Sequence, residues 1–170
     1  GANVGNHTVF AAQHGAVDGV IAIEPLGLTN AILTINVLLN RLSEVVEIHK
    51  IAASEMVGVA RMVTPYAQNL GRTMIADVGY GEWVNLRPAD SVIGDRPVSF
   101  IKIDVEGHEM SALLGLRKTI DAKRPHILIE VSNSNLALFE DWLETHRYRV
   151  INAFEHSPEN REFIIGPSQE

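Results

Sequence analysis

The chain has 170 residues, 46% apolar and 21% charged, with a formal net charge of −7 and no cysteine. That length suits one domain with a substantial core; the acidity, with no offsetting basic cluster, argues against nucleic acid as a partner; the lack of cysteine excludes disulfides, thiolate metal sites and a thiol nucleophile. No apolar run approaches the roughly 18 residues of a membrane span and no signal peptide is visible, so the expectation is a cytoplasmic protein with a small-molecule substrate.

In chain order the pattern alternates between helix and strand. "GANVGNHT" opens with two glycines and two asparagines ahead of a helical run over residues 6–13, closed by Gly15. "VIAIEP", residues 20–25, is a short β-branched strand ending in an acid. Residues 26–42 carry Leu28, Ile32, Ile35, Leu38 and Leu39 in helical rhythm. "VVEIHKIAAS", residues 45–54, reads as one further strand. Residues 55–97 are rich in Gly and Pro and read as an irregular insertion with one or two short strands, one over residues 83–87. Residues 98–104 are nearly all apolar, as a central parallel strand should be. A helix over 110–122, a buried strand over 126–131 and an amphipathic helix over 136–146 follow. "YRVINAF" and "REFIIG" flank the turn-rich "EHSPEN" and predict a closing antiparallel hairpin. Alternating elements with buried strands define a doubly wound α/β sheet. One domain over residues 1–170 is expected.

Open α/β sheets bind ligands at the carboxyl ends of their strands, where strand order reverses. Gly5 frees backbone for a close approach. Glu24 lies nineteen residues further on, at the end of the next strand, where an acid accepts hydrogen bonds from ribose hydroxyls. Together they point to a nucleoside-containing cofactor. The plain alternative is a tight turn and a solvated strand end. The loop is G-x-x-x-G and lacks the third glycine of a dinucleotide fingerprint. A pyrophosphate cradle is therefore poorly supported, whereas S-adenosyl-L-methionine, which has no phosphate, needs none.

"GANVGNHT", "IEP", "AASEMVG", "NLGRT" and "FIKIDVEGHE" followed by "RPHILIEV" resemble the FkbM-type methyltransferases, class I enzymes dependent on S-adenosyl-L-methionine. The likeness runs from Gly1 to about Val131. It implies a Rossmann-like sheet of seven strands in the order 3-2-1-4-5-7-6, with the seventh antiparallel. It implies methyl transfer to a hydroxyl of a sugar or a small natural product. By the same likeness Gly1, Ala2, Asn3, Gly5, Asn6 and Thr8 surround the methionine end of the cofactor. Glu24 and Pro25 take the ribose, Ala52, Ala53 and Ser54 line the adenine, and Asp104 lies beside the sulfonium and the acceptor. The family carries a strand before the first glycine, so a first strand upstream of Gly1 is expected. The oligomeric state is left open, a homodimer included. An NAD-linked oxidoreductase and a non-catalytic Rossmann-like binding module are the alternatives.

Methyl transfer to a hydroxyl needs an aligned donor and acceptor and a group to take the proton. His108 is the first candidate base, because imidazole titrates near neutral pH; the alternative is an exposed histidine in a first helical turn. Asp104 is a second catalytic candidate, with helix capping as its alternative role. Lys102, on a strand, reads as half of a buried ion pair with Glu130. Glu106 and Glu109 read as acids that complement a helix dipole. No metal site is expected, because ligands this close in sequence rarely converge across a strand–helix turn. Tyr66, Asn69, Tyr80 and Trp83, in the insertion, are candidates for recognising the acceptor.

Overall fold

The computed structural model describes residues 1–14, 17–63, 74–76, 81–155 and 158–168. The fold is mixed α/β and divides into two compact units, residues 1–53 with 57–87, and residues 54–56 with 88–170.

The first unit contains α1 (Asn6–Gln13), β1 (Val20–Ile23), α2 (Gly27–Leu39), β2 (Val46–His49), β3 (Ala52–Ala53), β4 (Gly58–Val63), β5 (Met74–Ala76) and β6 (Glu82–Arg87). β1 and β2 pair in parallel, Ala22 opposite Ile48. Ala22, Leu33, Val37, Leu42 and Val46 form the core, with Ala2, Val9 and Ala12 packed against it. The buried stripe of α2 differs from the expected one. Thr29, Leu33 and Val37 face inward, whereas Leu28, Ile35, Leu38 and Leu39 are exposed. The helix is apolar on more than one face, so periodicity admits two stripes, and packing selects between them.

The strand expected over residues 45–54 is two strands. β2 pairs with β1; past Lys50 and Ile51, β3 runs parallel to β6, Ala52 opposite Leu86. The segment expected to be irregular with one or two short strands holds three strands among its described residues, β4 lying antiparallel to both β5 and β6, and β6 is the strand expected over residues 83–87. The Gly- and Pro-rich composition concealed the others. At Gly81 a β-carbon would come within 2.0 Å of the Met62 carbonyl oxygen, so glycine there serves close strand approach and not looseness. Glu82 then anchors β6 to the start of α2: its two carboxylate oxygens accept from the Gly27 N–H at 3.0 Å, and Lys50 pairs with it at 3.1 Å.

The second unit contains α3 (Asp90–Ile93), β7 (Phe100–Ile103), α4 (Glu109–Leu114), α5 (Arg117–Lys123), β8 (His126–Ser132), α6 (Leu136–His146), β9 (Tyr148–Phe154) and β10 (Asn160–Pro167). Its sheet has the order β7-β8-β10-β9. β7 and β8 are parallel, and β10 is antiparallel to β8 and to β9, so the closing hairpin forms as expected. β8 alternates: Ile127, Ile129 and Val131 are fully buried, and Leu128, Glu130 and Ser132 take the other face. α6 buries Phe139, Trp142 and Leu143, one helical stripe. Phe139 meets Phe163 of β10, and Trp142 meets Tyr148 of β9.

The helix expected over 110–122 breaks into α4 and α5 at Gly115 and Leu116. A β-carbon on Gly115 would lie 2.0 Å from the Ser54 carbonyl oxygen, so the chain can cross there only at a glycine. The new N-terminus of α5 is capped from a distance. Asp90 accepts from the Lys118 N–H at 2.8 Å, the Thr119 N–H at 3.0 Å and the Thr119 hydroxyl at 2.7 Å. Asp90→Ala should lower unfolding stability by about 2 kcal/mol, the upper end for a lost cap, seen as a lower urea midpoint at unchanged slope.

Candidate functional site

In the first unit the opening loop is a turn with two left-handed residues, Asn3 at φ 51° and Gly5 at φ 90°. Asparagine tolerates that region and glycine favours it. The Ala2 N–H donates to the Ile23 carbonyl at the end of β1, and the Gly5 N–H to the Ala2 carbonyl, both at 2.9 Å. The close approach at Gly5 is to α2: a β-carbon there would lie 2.5 Å from Leu33 Cδ1. Asn36 of α2 donates to the Val4 carbonyl at 2.8 Å. Asn3 and Asn6 are exposed, and Thr8 is buried in α1.

Glu24 organises this turn. It is buried at 5% exposure, with Pro25 and Leu26 buried after it. Its Oε2 accepts from the Asn3 N–H at 2.8 Å; its Oε1 accepts from the Leu26 N–H at 3.1 Å and the Thr29 hydroxyl at 2.7 Å. A carboxylate offers about four acceptor positions, so these donors leave one, on Oε2. Glu24 is therefore neither a solvated strand end nor a carboxylate free of other duties. Ala52 is buried and Ala53 half-buried on β3.

In the second unit the "DVEGHE" segment is a second turn of the same kind. Glu106 at φ 44° and Gly107 at φ 88° are both left-handed, and His108 caps α4. Glu109 is buried at 2% exposure. Its Oε1 accepts from the Gly107 N–H at 2.5 Å and its Oε2 from Asn135 Nδ2 at 2.7 Å. Glu109 thus pins the turn to the segment after β8, a role beyond complementing a helix dipole. His108 is half-buried, and its Nε2 lies 3.2 Å from the hydroxyl of Ser54, itself 2% exposed. Burial pushes His108 below the usual imidazole value of 6.5, against the opposing charges of Glu109 and Glu55. The ring is accordingly neutral at pH 7.

Lys102 pairs differently from expectation. Its Nζ is 2.7 Å from Asp104 Oδ2, and Glu130 instead accepts from Asn160 Nδ2 at 2.9 Å. The reason is the strand pleat: residues two apart share a face, and Asp104 is the nearer acid. The Ser54–His108 contact spans 54 residues and has no local signature in the sequence. Of the acceptor-site candidates, Trp83 is exposed on β6 with the Arg61 guanidinium 4.6 Å over its ring. Tyr66, Asn69 and Tyr80, and Gly15 of the first helix, lie outside the described residues. No group of three or more His, Asp or Glu among the described residues is arranged to hold a metal. No described helix is long and apolar enough to cross a membrane.

The architecture is shared with solved Rossmann-like and methyltransferase structures. An FkbM methyltransferase from Methylobacillus flagellatus KT is 22% identical with a TM-score of 0.71, covering 96% of this chain and 41% of its own. A protein of the NADB-Rossmann superfamily from Streptococcus agalactiae is 12% identical with a TM-score of 0.62, covering 98% of this chain and 60% of its own. A ribosomal protein L11 methylase from Lactobacillus delbrueckii subsp. bulgaricus is 12% identical with a TM-score of 0.57. This chain thus spans less than two thirds of each of the first two. These likenesses define the class, a Rossmann-like α/β fold. The model of the methyltransferase FkbM domain matches residues 1–150, so the chain belongs to the FkbM methyltransferase family, and its cofactor is S-adenosyl-L-methionine. None of the curated proteins matches the sequence.

Two outcomes follow from this geometry. Glu24→Ala orphans the Asn3 and Leu26 amides and leaves the Thr29 hydroxyl only its 3.3 Å bond to the Leu26 carbonyl, and should cost on the order of 3 kcal/mol in urea unfolding. The His108 ring should titrate below 6.5 by NMR. Its folded pKa is depressed, so its contribution to stability is present above 6.5 and is lost as pH falls through the folded value.

Proposed function

We propose that the chain transfers a methyl group from S-adenosyl-L-methionine to a hydroxyl of a sugar or small natural product. The observation that carries this reading is His108, half-buried, pushed below its usual pKa and hydrogen-bonded to a buried serine. A neutral imidazole on a fixed turn is suited to take a hydroxyl proton at pH 7. The acidity of the chain supports a small molecule over nucleic acid as acceptor.

The donor set fits the cofactor. The Gly1–Gly5 turn lacks the glycine triplet a pyrophosphate needs, Glu24 keeps one acceptor position, and Ala52 and Ala53 are small and apolar. In this reading Gly1, Ala2, Asn3, Gly5, Asn6 and Thr8 serve the methionine end, Glu24 and Pro25 the ribose, and Ala52, Ala53 and Ser54 the adenine. Asp104 serves as a fixed anion toward the sulfonium and the acceptor. When bound, the cofactor supplies a methyl carbon already activated on sulfur. This chain's residues align the two partners and remove the proton. Residues 55–97 contribute to acceptor recognition, within one methyltransferase domain. The pairings β1–β2 and β7-β8-β10-β9, with β10 antiparallel, support the seven-strand order 3-2-1-4-5-7-6. The absence of cysteine supports a cytoplasmic setting.

Titration calorimetry with S-adenosyl-L-methionine, S-adenosylhomocysteine and NAD⁺ tests the cofactor. Micromolar binding of the first two and none of NAD⁺ is expected; NAD⁺ alone would overturn the reading. With an acceptor in hand, His108→Ala should lower kcat by roughly 10²–10⁴-fold and leave cofactor affinity unchanged.

A further inference from the structure

One face of the β4–β6 pair in the first unit is exposed and differs in charge from the rest of the chain. Along β6 the side chains alternate: Val84 is buried, whereas Trp83, Asn85 and Arg87 are exposed on the other face. The antiparallel register adds Val59 opposite Asn85 and Arg61 opposite Trp83. Trp83 is 62% exposed and Val59 66%. The Arg61 guanidinium lies 4.6 Å over the Trp83 ring and so holds the indole on this face. Among the described residues no acid forms an ion pair with Arg87, which is exposed at the end of the row. The one acid of the two strands, Glu82, shares the face of Val84 and is committed to Gly27 and Lys50. The exposed face of β4 and β6 thus carries guanidinium groups and no carboxylate, in a chain of net charge −7.

An exposed apolar patch rimmed by polar groups marks a binding surface, and its chemistry selects the occupant. An indole offers an apolar face to the C–H face of a sugar ring. A planar guanidinium takes a carboxylate through two parallel N–H bonds. The Asn85 amide both donates to and accepts from hydroxyls. We propose that the Trp83–Arg87 face of β6 binds an acidic saccharide, with Trp83 stacked on a sugar ring and Arg87 holding a carboxylate. A second copy of the chain does not fit, since a two-fold contact through this face sets arginine against arginine. Single-stranded RNA does not fit either, because tracking a phosphate backbone takes a longer row of cations than this face has. The proposal rests on the methyltransferase reading and names its acceptor class. Arg87 is registered with Ala53 of β3, so the face begins beside the strand proposed to line the adenine.

The protein carries its own reporter for this face. Of its two tryptophans, Trp83 is exposed and Trp142 is buried, so a saccharide bound here should change the emission of Trp83 alone. The probe is tetragalacturonate, compared with maltotetraose, an uncharged saccharide of the same length, and with an oligouridylate. Tetragalacturonate should change the emission with a Kd of about 0.1–1 mM, and maltotetraose should bind about tenfold more weakly. Trp83→Leu should abolish the emission change and, by calorimetry, weaken tetragalacturonate binding about tenfold. Arg87→Gln should bring tetragalacturonate down to the level of maltotetraose. Both substitutions are on the surface, so an unchanged urea midpoint separates lost binding from lost fold. Absence of tetragalacturonate binding, equal binding of the two saccharides by the unaltered chain, or tighter binding of the oligouridylate would overturn the proposal. Saccharide binding without any S-adenosyl-L-methionine binding would sink the methyltransferase reading alone. The reverse would sink this face alone.

Discussion

Both units depend on one device: a buried carboxylate that accepts the backbone N–H of a left-handed turn. Glu24 does this for Asn3, and Glu109 does it for Gly107. In each case a second contact runs to a neighbouring element, Thr29 of α2 for Glu24 and Asn135 for Glu109. A turn in the left-handed region leaves amides that neither helix nor strand can satisfy. A buried amide without a partner costs free energy comparable to a lost hydrogen bond. The carboxylate meets that demand and fixes the direction in which the turn leaves its strand. The glycines make the turns permissible, and the acids make them rigid.

Rigidity of this kind matters for group transfer, where misplacement of a reacting group by an ångström is expensive. The second unit adds an electrostatic division. His108 is neutral because burial opposes its charge, and Asp104 is ionised because Lys102 favours it. Environments that push neighbouring titratable groups in different directions assign them different work. The sheet carries this through its pleat: Ile127, Ile129 and Val131 build the core on one face of β8, so Glu130 must emerge on the other, in the row of Asp104.

Much of this was legible before any coordinates. The strands over 20–25 and 126–131, the helix over 136–146 and the closing hairpin announced themselves through apolar runs and turn residues. Glu24 stood out as an acid at a strand end, and His108 as an imidazole after one. The rest failed for identifiable reasons. The stripe of α2 was ambiguous because Leu33 and Val37 share their helix with an equally apolar second row. β6 was legible as the strand over residues 83–87, whereas β4 was hidden because Gly81 marks close strand contact as readily as a loop. The break at Gly115 was signalled by the glycine itself, but a glycine inside a helical pattern is often tolerated. The partners of Glu24 and Glu109, and the Ser54–His108 contact, depend on tertiary closure that no local window contains.

That closure has a kinetic side. α5 has seven residues, too few to persist alone in water, since a helix of this length has a costly nucleus and few bonds to repay it. Its N-terminal amides are met by Asp90, whose bonds to Lys118 and Thr119 close loops of 28 and 29 residues. The capping contact therefore exists only once the chain between them has folded back. α5 is a helix made by its surroundings, and its cap waits on the closure of loops whose entropy must be overcome before the contact can form.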